Sequence, residues 1–140
     1  MTARVRAIEH GIVLQDFSNF ADAETALGAF AEARAFVQLQ PRGSILMLTD
    51  VTGSNFTQPV IEGIRDLAVH NKPWVRASAL FGLTPIMRVI CRALLALTGR
   101  EIKVFETRTQ AMAYLMGFSV PASAAAASPQ TPSSPPSGPR

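Results

Sequence analysis

Apolar and polar positions along this chain fall into short blocks of two kinds. Val5 to Glu9 and Gly11 to Phe17 are compact apolar runs parted by His10-Gly11, and this break predicts two strands joined as a tight hairpin. From Asp22 the spacing changes. Asp22 can cap Thr25, Glu24 lies in the first turn, and Leu27, Phe30, Ala31 and Val37 form the expected inward set of a helix that Pro41-Arg42-Gly43 stops. Ser44 to Thr49 is then a continuous apolar run, as in a central strand covered on both faces.

The alternation continues. Thr57 to His70 places Val60, Ile64, Leu67 and Ala68 at helical spacing, Asn71-Lys72-Pro73 ends that helix, and Trp74 to Phe81 reads as the next strand. Thr84 followed by Pro85 gives an N-cap with proline at the first helical position. That helix runs to Leu97 and closes at Thr98-Gly99 on a left-handed glycine. Ile102 to Phe105 is the last strand, and a final helix from near Thr107 to Gly117 buries Ala111, Tyr114 and Leu115. The order ββαβαβαβα predicts an α/β fold with a mixed, mainly parallel sheet covered by helices.

Composition sharpens the boundaries. Residues 118 to 140 are dominated by Ala, Ser, Pro, Thr and Gln, too poor in large apolar groups to offset their ordering entropy, so residues 1–117 are expected to form the domain and 118–140 a disordered tail. Cys91 is the sole cysteine in 140 residues, which excludes an intrachain disulfide framework and points to a reducing compartment. Charges interrupt the first twenty residues, so neither a signal peptide nor a spanning helix is expected there, and the chain reads as cytoplasmic. The net charge of +3 is unevenly spread: residues 1–64 carry 4 basic and 7 acidic groups, residues 65–108 carry 8 and 3. One part of the fold is therefore expected to be electropositive.

The segments Leu48-Thr49-Asp50-Val51-Thr52-Gly53, His70-Asn71-Lys72-Pro73 and Thr98 to Arg108, together with the element order, resemble the SpoIIAA-like branch of the STAS domain superfamily. The resemblance covers roughly Ile8 to Leu115. It implies a STAS-type fold and a module that regulates or binds rather than catalyses. It also implies that the strand-to-helix loop from Asp50 to Thr57 is the regulatory or ligand loop. There Thr52, Ser54 and Thr57 stand where related anti-sigma-factor antagonists carry a phosphorylated hydroxyl, although Asp50-Val51-Thr52-Gly53 replaces their Asp-Ser-Ser-Gly run. Read from the residues alone, Asp50 and Thr52 make a turn, Gly53 supplies a positive φ, and Ser54 or Asn55 caps the next helix.

The second candidate surface is the helix from Thr84 to Leu97. Projected at 100° per residue, it leaves only Arg88 and Arg92 as a charged wedge, wider apolar coverage than packing on one sheet requires. Met87, Arg88, Cys91, Arg92 and Leu95 are accordingly expected at an interface or ligand-facing surface. Phe118 and neighbouring helices are one possible cover. A second copy, another protein, a lipid-like ligand or shallow membrane contact are the others. No metal set is expected of His10 and His70, and Cys91 has no activating base at readable spacing. Arg65, Arg76, Arg88, Arg92, Arg100, Lys103 and Arg108 lack the aromatic interleaving of a nucleic-acid surface. No catalytic constellation and no cofactor motif is present in the sequence. The expected function is thus a non-catalytic protein-interaction module, its partner another protein or a second copy of the chain. The alternative is a carrier for a small apolar, lipid-like or anionic ligand.

Overall fold

The computed structural model describes residues 3–119, so Met1, Thr2 and the expected tail from residue 120 onward lie outside the described residues. Within them the order is β1 (Val5–Ala7), β2 (Ile12–Asp16), α1 (Ala23–Gln38), β3 (Ile45–Asp50), α2 (Gln58–Asn71), β4 (Val75–Phe81), α3 (Pro85–Ala96), β5 (Ile102–Phe105) and α4 (Arg108–Ser119). The protein is α/β. Its 5-stranded sheet runs β1-β2-β3-β4-β5, with β1 antiparallel to β2 and every other neighbour pair parallel.

His10 and Gly11 turn the chain between β1 and β2 with φ of 63° and 71°, and the Ile8 N–H reaches the Ile12 carbonyl at 2.7 Å. The break the sequence shows is therefore a left-handed turn, which glycine adopts freely and histidine more readily than most side chains. On the outer edge of β1, the Val5 N–H donates to Glu32 Oε2 of α1 at 2.9 Å.

Strand order follows chain order, so crossovers of one hand put α1, α2 and α3 on the same face, while α4 makes no crossover and covers the other. Alternate residues of the strands divide accordingly. Val13, Ile45, Met47 and Leu80 face α1 and α2, and Ile12, Leu14, Leu46, Leu48, Ala77 and Ala79 face Ala111 and Leu115 of α4.

Helix α1 is capped as the sequence predicts, with the Thr25 N–H donating to Asp22 Oδ1 at 2.7 Å, a bond that holds the Asp22 carboxyl below its ordinary range. Its inward face is Ala26, Ala29, Phe30, Ala33 and Val37; Leu27 and Ala31, expected inside, are exposed. The alanine-rich sequence offers little contrast between neighbouring stripes, and Phe30 fixes the rotation by edge-on contact with Phe17 and Phe20 at 5.0 and 5.8 Å. Helix α2 can lie close against α1 because Gly63 has no side chain: a Cβ there would stand 2.8 Å from the Phe30 ring.

Strand β4 begins at Val75 rather than Trp74. Trp74 sits in a one-turn 3-10 segment (Lys72–Trp74), half-buried, stacked on His70 at 5.3 Å with Arg42 over its ring at 5.1 Å. Proline at position 73 removes a ladder donor, which delays entry into the sheet. At α4 the Thr107 hydroxyl accepts from the Gln110 N–H at 3.2 Å, and Gln110 Oε1 accepts in return from the Thr107 N–H at 3.2 Å, a reciprocal cap. The helix passes through Gly117 and continues to Ser119, because Phe118 still packs on Tyr114 at 5.2 Å and under Arg76 at 5.9 Å.

Candidate functional site

The loops leaving the C-terminal ends of β2, β3 and β4 are stitched together. The Thr52 N–H donates to Asp50 Oδ1 at 2.9 Å, forming the expected turn, and Gly53 has a φ of +71°. Asn19 N–H reaches the Thr52 carbonyl at 2.8 Å, and a Cβ on Gly82 would lie 2.4 Å from Thr52 Oγ1. Ser54 does not cap α2: its hydroxyl donates to the Phe17 carbonyl and accepts the Phe20 N–H at 3.2 Å, tying the β3 exit to the β2 exit. Asn55 does not cap it either, because the N-cap position is Thr57, whose side chain makes no capping bond. The three hydroxyls thus differ. Ser54 is half-buried and used structurally, whereas Thr52 and Thr57 are exposed.

Helix α3 starts with the predicted cap, the Met87 N–H donating to Thr84 Oγ1 at 3.3 Å. It is lightly seated. Cys91 and Leu95 are its buried residues, Met87 and Leu94 are half-buried, and Ile86, Val89 and Leu97 are 71%, 65% and 81% exposed. Leu95 and Cys91 therefore face inward rather than lying at an outer interface, and the outward apolar band is Ile86, Val89, Ile90 and Leu97, bordered by exposed Arg92 and half-buried Arg88. Phe118 does not cover this helix, because it belongs to the α4 side of the sheet. Arg88 Nε is buried with no hydrogen-bond partner among the described residues, a costly state for a charged donor.

Beneath α3, between it, α2 and the sheet, lies a cavity of about 60 Å³. Its walls are apolar, including Ile61, Ile64, Leu83, Met87, Ile90 and Leu94, with Cys91 and Leu95 at the roof. Its floor is polar. Gln15 and Thr49 are register partners on β2 and β3, joined by Gln15 Nε2 donating to Thr49 Oγ1 at 2.8 Å, and Asn71 Nδ2 donates to Gln15 Oε1 at 3.3 Å. His70 extends this chain outward, with Nδ1 at 2.8 Å from Asn71 Oδ1 and Nε2 at 2.9 Å from the Gln38 amide nitrogen. Gln15, Asn71 and Ser78 are all buried.

Arg100 completes the floor. The left-handed Gly99 turns the chain inward before β5, and the Arg100 guanidinium donates to the Ala68 carbonyl at 2.8 Å and to the Ser78 hydroxyl. Ala68 is in the last turn of α2, where carbonyls lack helical partners and a cation is favoured. Burial lowers the Arg100 pKa to about 10. The guanidinium makes no ion pair among the described residues, in which Arg65 pairs with Asp66 at 3.7 Å and Lys103 with Glu101 at 3.8 Å. Arg76 lies over Phe118 on the α4 side and Arg100 turns inside, so the basic residues of the second half do not gather on one face.

Sequence reasoning singled out Met87, Cys91 and Leu95 on α3 but not Arg100, Gln15, Asn71 or Ser78. The available signal was a polar residue on the helix-covered face of each of three apolar strands, Gln15, Thr49 and Ser78. Burial pushes the Cys91 thiol up from its ordinary value. Alkylation of Cys91 by iodoacetamide at pH 8 is therefore expected to run roughly tenfold or more slower in the folded protein than in urea. Equal rates would mean that α3 stands open.

Among the described residues no helix is long and apolar enough to cross a membrane, and no group of three or more His, Cys, Asp and Glu side chains is placed to hold a metal ion. Comparison with family models, curated proteins and solved structures finds no significant match to this chain.

Proposed function

We propose that this domain is a non-catalytic interaction module of STAS type that presents the outer face of α3, with the adjoining Asp50–Thr57 loop, to a protein partner. The element order and the antiparallel β1 at the edge of a parallel sheet support the family reading. The observation that carries the function is the band of Ile86, Val89, Ile90 and Leu97, four large apolar residues exposed together on α3 and its C-cap. Leaving such a band in water forgoes burial at about 25 cal/mol per Å². Helix α3 carries Arg88 and Arg92 and no acid, so the complementary surface is apolar with acidic groups at its rim.

The loop supports regulation of that contact. Thr52 and Thr57 are exposed beside the α3 end of the sheet, and a phosphate on either adds nearly two negative charges that an acidic partner rim would repel. The test is site-specific photo-crosslinking in the native host from position 89, with position 24 on α1 as control. A defined protein adduct at 89, absent at 24 and lost on adding Ile86→Glu, is the expected result. No adduct above control, with a monomer by light scattering, would overturn the reading.

A further inference from the structure

The cavity beneath α3 is distinct from the helix's outer face, and its chemistry is of another kind. Its floor bears a cation among neutral groups. Gln15, Thr49 and Asn71 satisfy one another, whereas Arg100 gives its hydrogen bonds to the neutral Ala68 carbonyl and Ser78 hydroxyl. The α2 terminus supplies about half a negative charge. The α2 terminus offsets only part of the Arg100 charge, and no ionised partner faces it among the described residues, so an anion entering this apolar, low-dielectric chamber would gain a strong partner. Capping α2 needs one N–H, and a guanidinium presents five in a fork that fits a carboxylate.

We infer that this chamber is a binding site for a carboxylate amphiphile, its anionic head on Arg100 beside Ser78 and its aliphatic tail between α2 and the underside of α3. About 60 Å³ corresponds to roughly four water-sized groups, so a short acyl chain fits with α3 in place. Longer chains must lift Ile90 and Leu94, which sit toward the open side of the roof. Seating the ligand removes the uncompensated charge and fills the void under a loosely held helix, so binding should tighten α3.

The experiment titrates the full chain with straight-chain carboxylates of about four to ten carbons and with the alcohols of equal length, by calorimetry and by the rate of Cys91 alkylation. The expected result is saturable carboxylate binding that slows alkylation, with the alcohols weaker by about tenfold, one charge-assisted interaction's worth. Arg100→Gln should show the same tenfold loss, and Arg92→Gln, outside the chamber, no change. Because Arg100 also caps α2, Leu94→Trp serves as the second variant: it fills the chamber from its rim and should abolish binding while the far-UV circular dichroism is preserved. Equal affinity for acid and alcohol, no binding of any probe at millimolar concentration, or full binding by Leu94→Trp would each overturn the assignment.

Discussion

Phe30→Ala is expected to lower the unfolding free energy by about 3–5 kcal/mol, the range for truncating a fully buried aromatic. Phe30 is 1% exposed and meets Phe17 and Phe20 edge-on, while Gly63 of α2 lies flat against its ring. The hole opens where α1, α2 and the β2 exit meet, between the Phe17 and Phe20 rings and the Gly63 backbone. For a domain whose whole stability is of order 5–15 kcal/mol, such a loss removes much of the margin. Urea titration followed by circular dichroism measures it. A loss below about 1.5 kcal/mol would show that the phenylalanine cluster can repack and is not the anchor of this face.

Gly82→Ala is the second change with a large expected effect, about 3 kcal/mol or more, from strain and collision together. Gly82 has a φ of +99°, and an added Cβ would come within 2.6 Å of the Thr52 backbone nitrogen and 2.9 Å of its Cα. Neither atom can swing aside as a flexible side chain would. The β4–α3 loop and the Asp50–Thr57 loop must therefore part, weakening the surface next to α3 as well as the fold. Gly28→Ala supplies the contrast: Gly28 lies within α1, has nothing within 4 Å of the added carbon, and should gain about 0.5–1 kcal/mol from helix propensity. Thermal unfolding of the two variants side by side checks the pair. Equal effects would mean that the loops are not packed on Gly82.

The strands and helices were legible because each is short, uniform in period and bounded by proline, glycine or a capping residue. Thr84-Pro85, Thr98-Gly99 and His10-Gly11 each mark a boundary where backbone chemistry leaves few alternatives. The rotation of α1 was not legible, since alanine at 26, 29, 31 and 33 gives similar stripes and only contact with Phe17 and Phe20 selects one. Helix α3 was read as over-apolar, and it is, but which residues turn outward depends on where β5 and α2 leave room beneath it. The chamber was hidden for a different reason. Arg100 reaches the last turn of α2 across 32 positions and meets Ser78 across 22, and no local pattern carries such a distance. Ser54 shows the same limit in small, as its hydroxyl serves the β2 exit 37 residues away instead of the helix it precedes.

The bond from the Val5 N–H to Glu32 reaches beyond the packing of α1. β1 is 3 residues long and β5 is 4, so both open sides of the sheet offer only short rows of backbone groups to another chain. On the β1 side an outward donor is already occupied by the α1 carboxylate, and on the β5 side Lys103 stands on the strand itself. Short, charged and pre-satisfied margins discourage strand addition and fibril growth. A chain that exposes Ile86, Val89 and Leu97 elsewhere can then remain dispersed at working concentrations, its stickiness confined to a convex helix that cannot template an extending sheet.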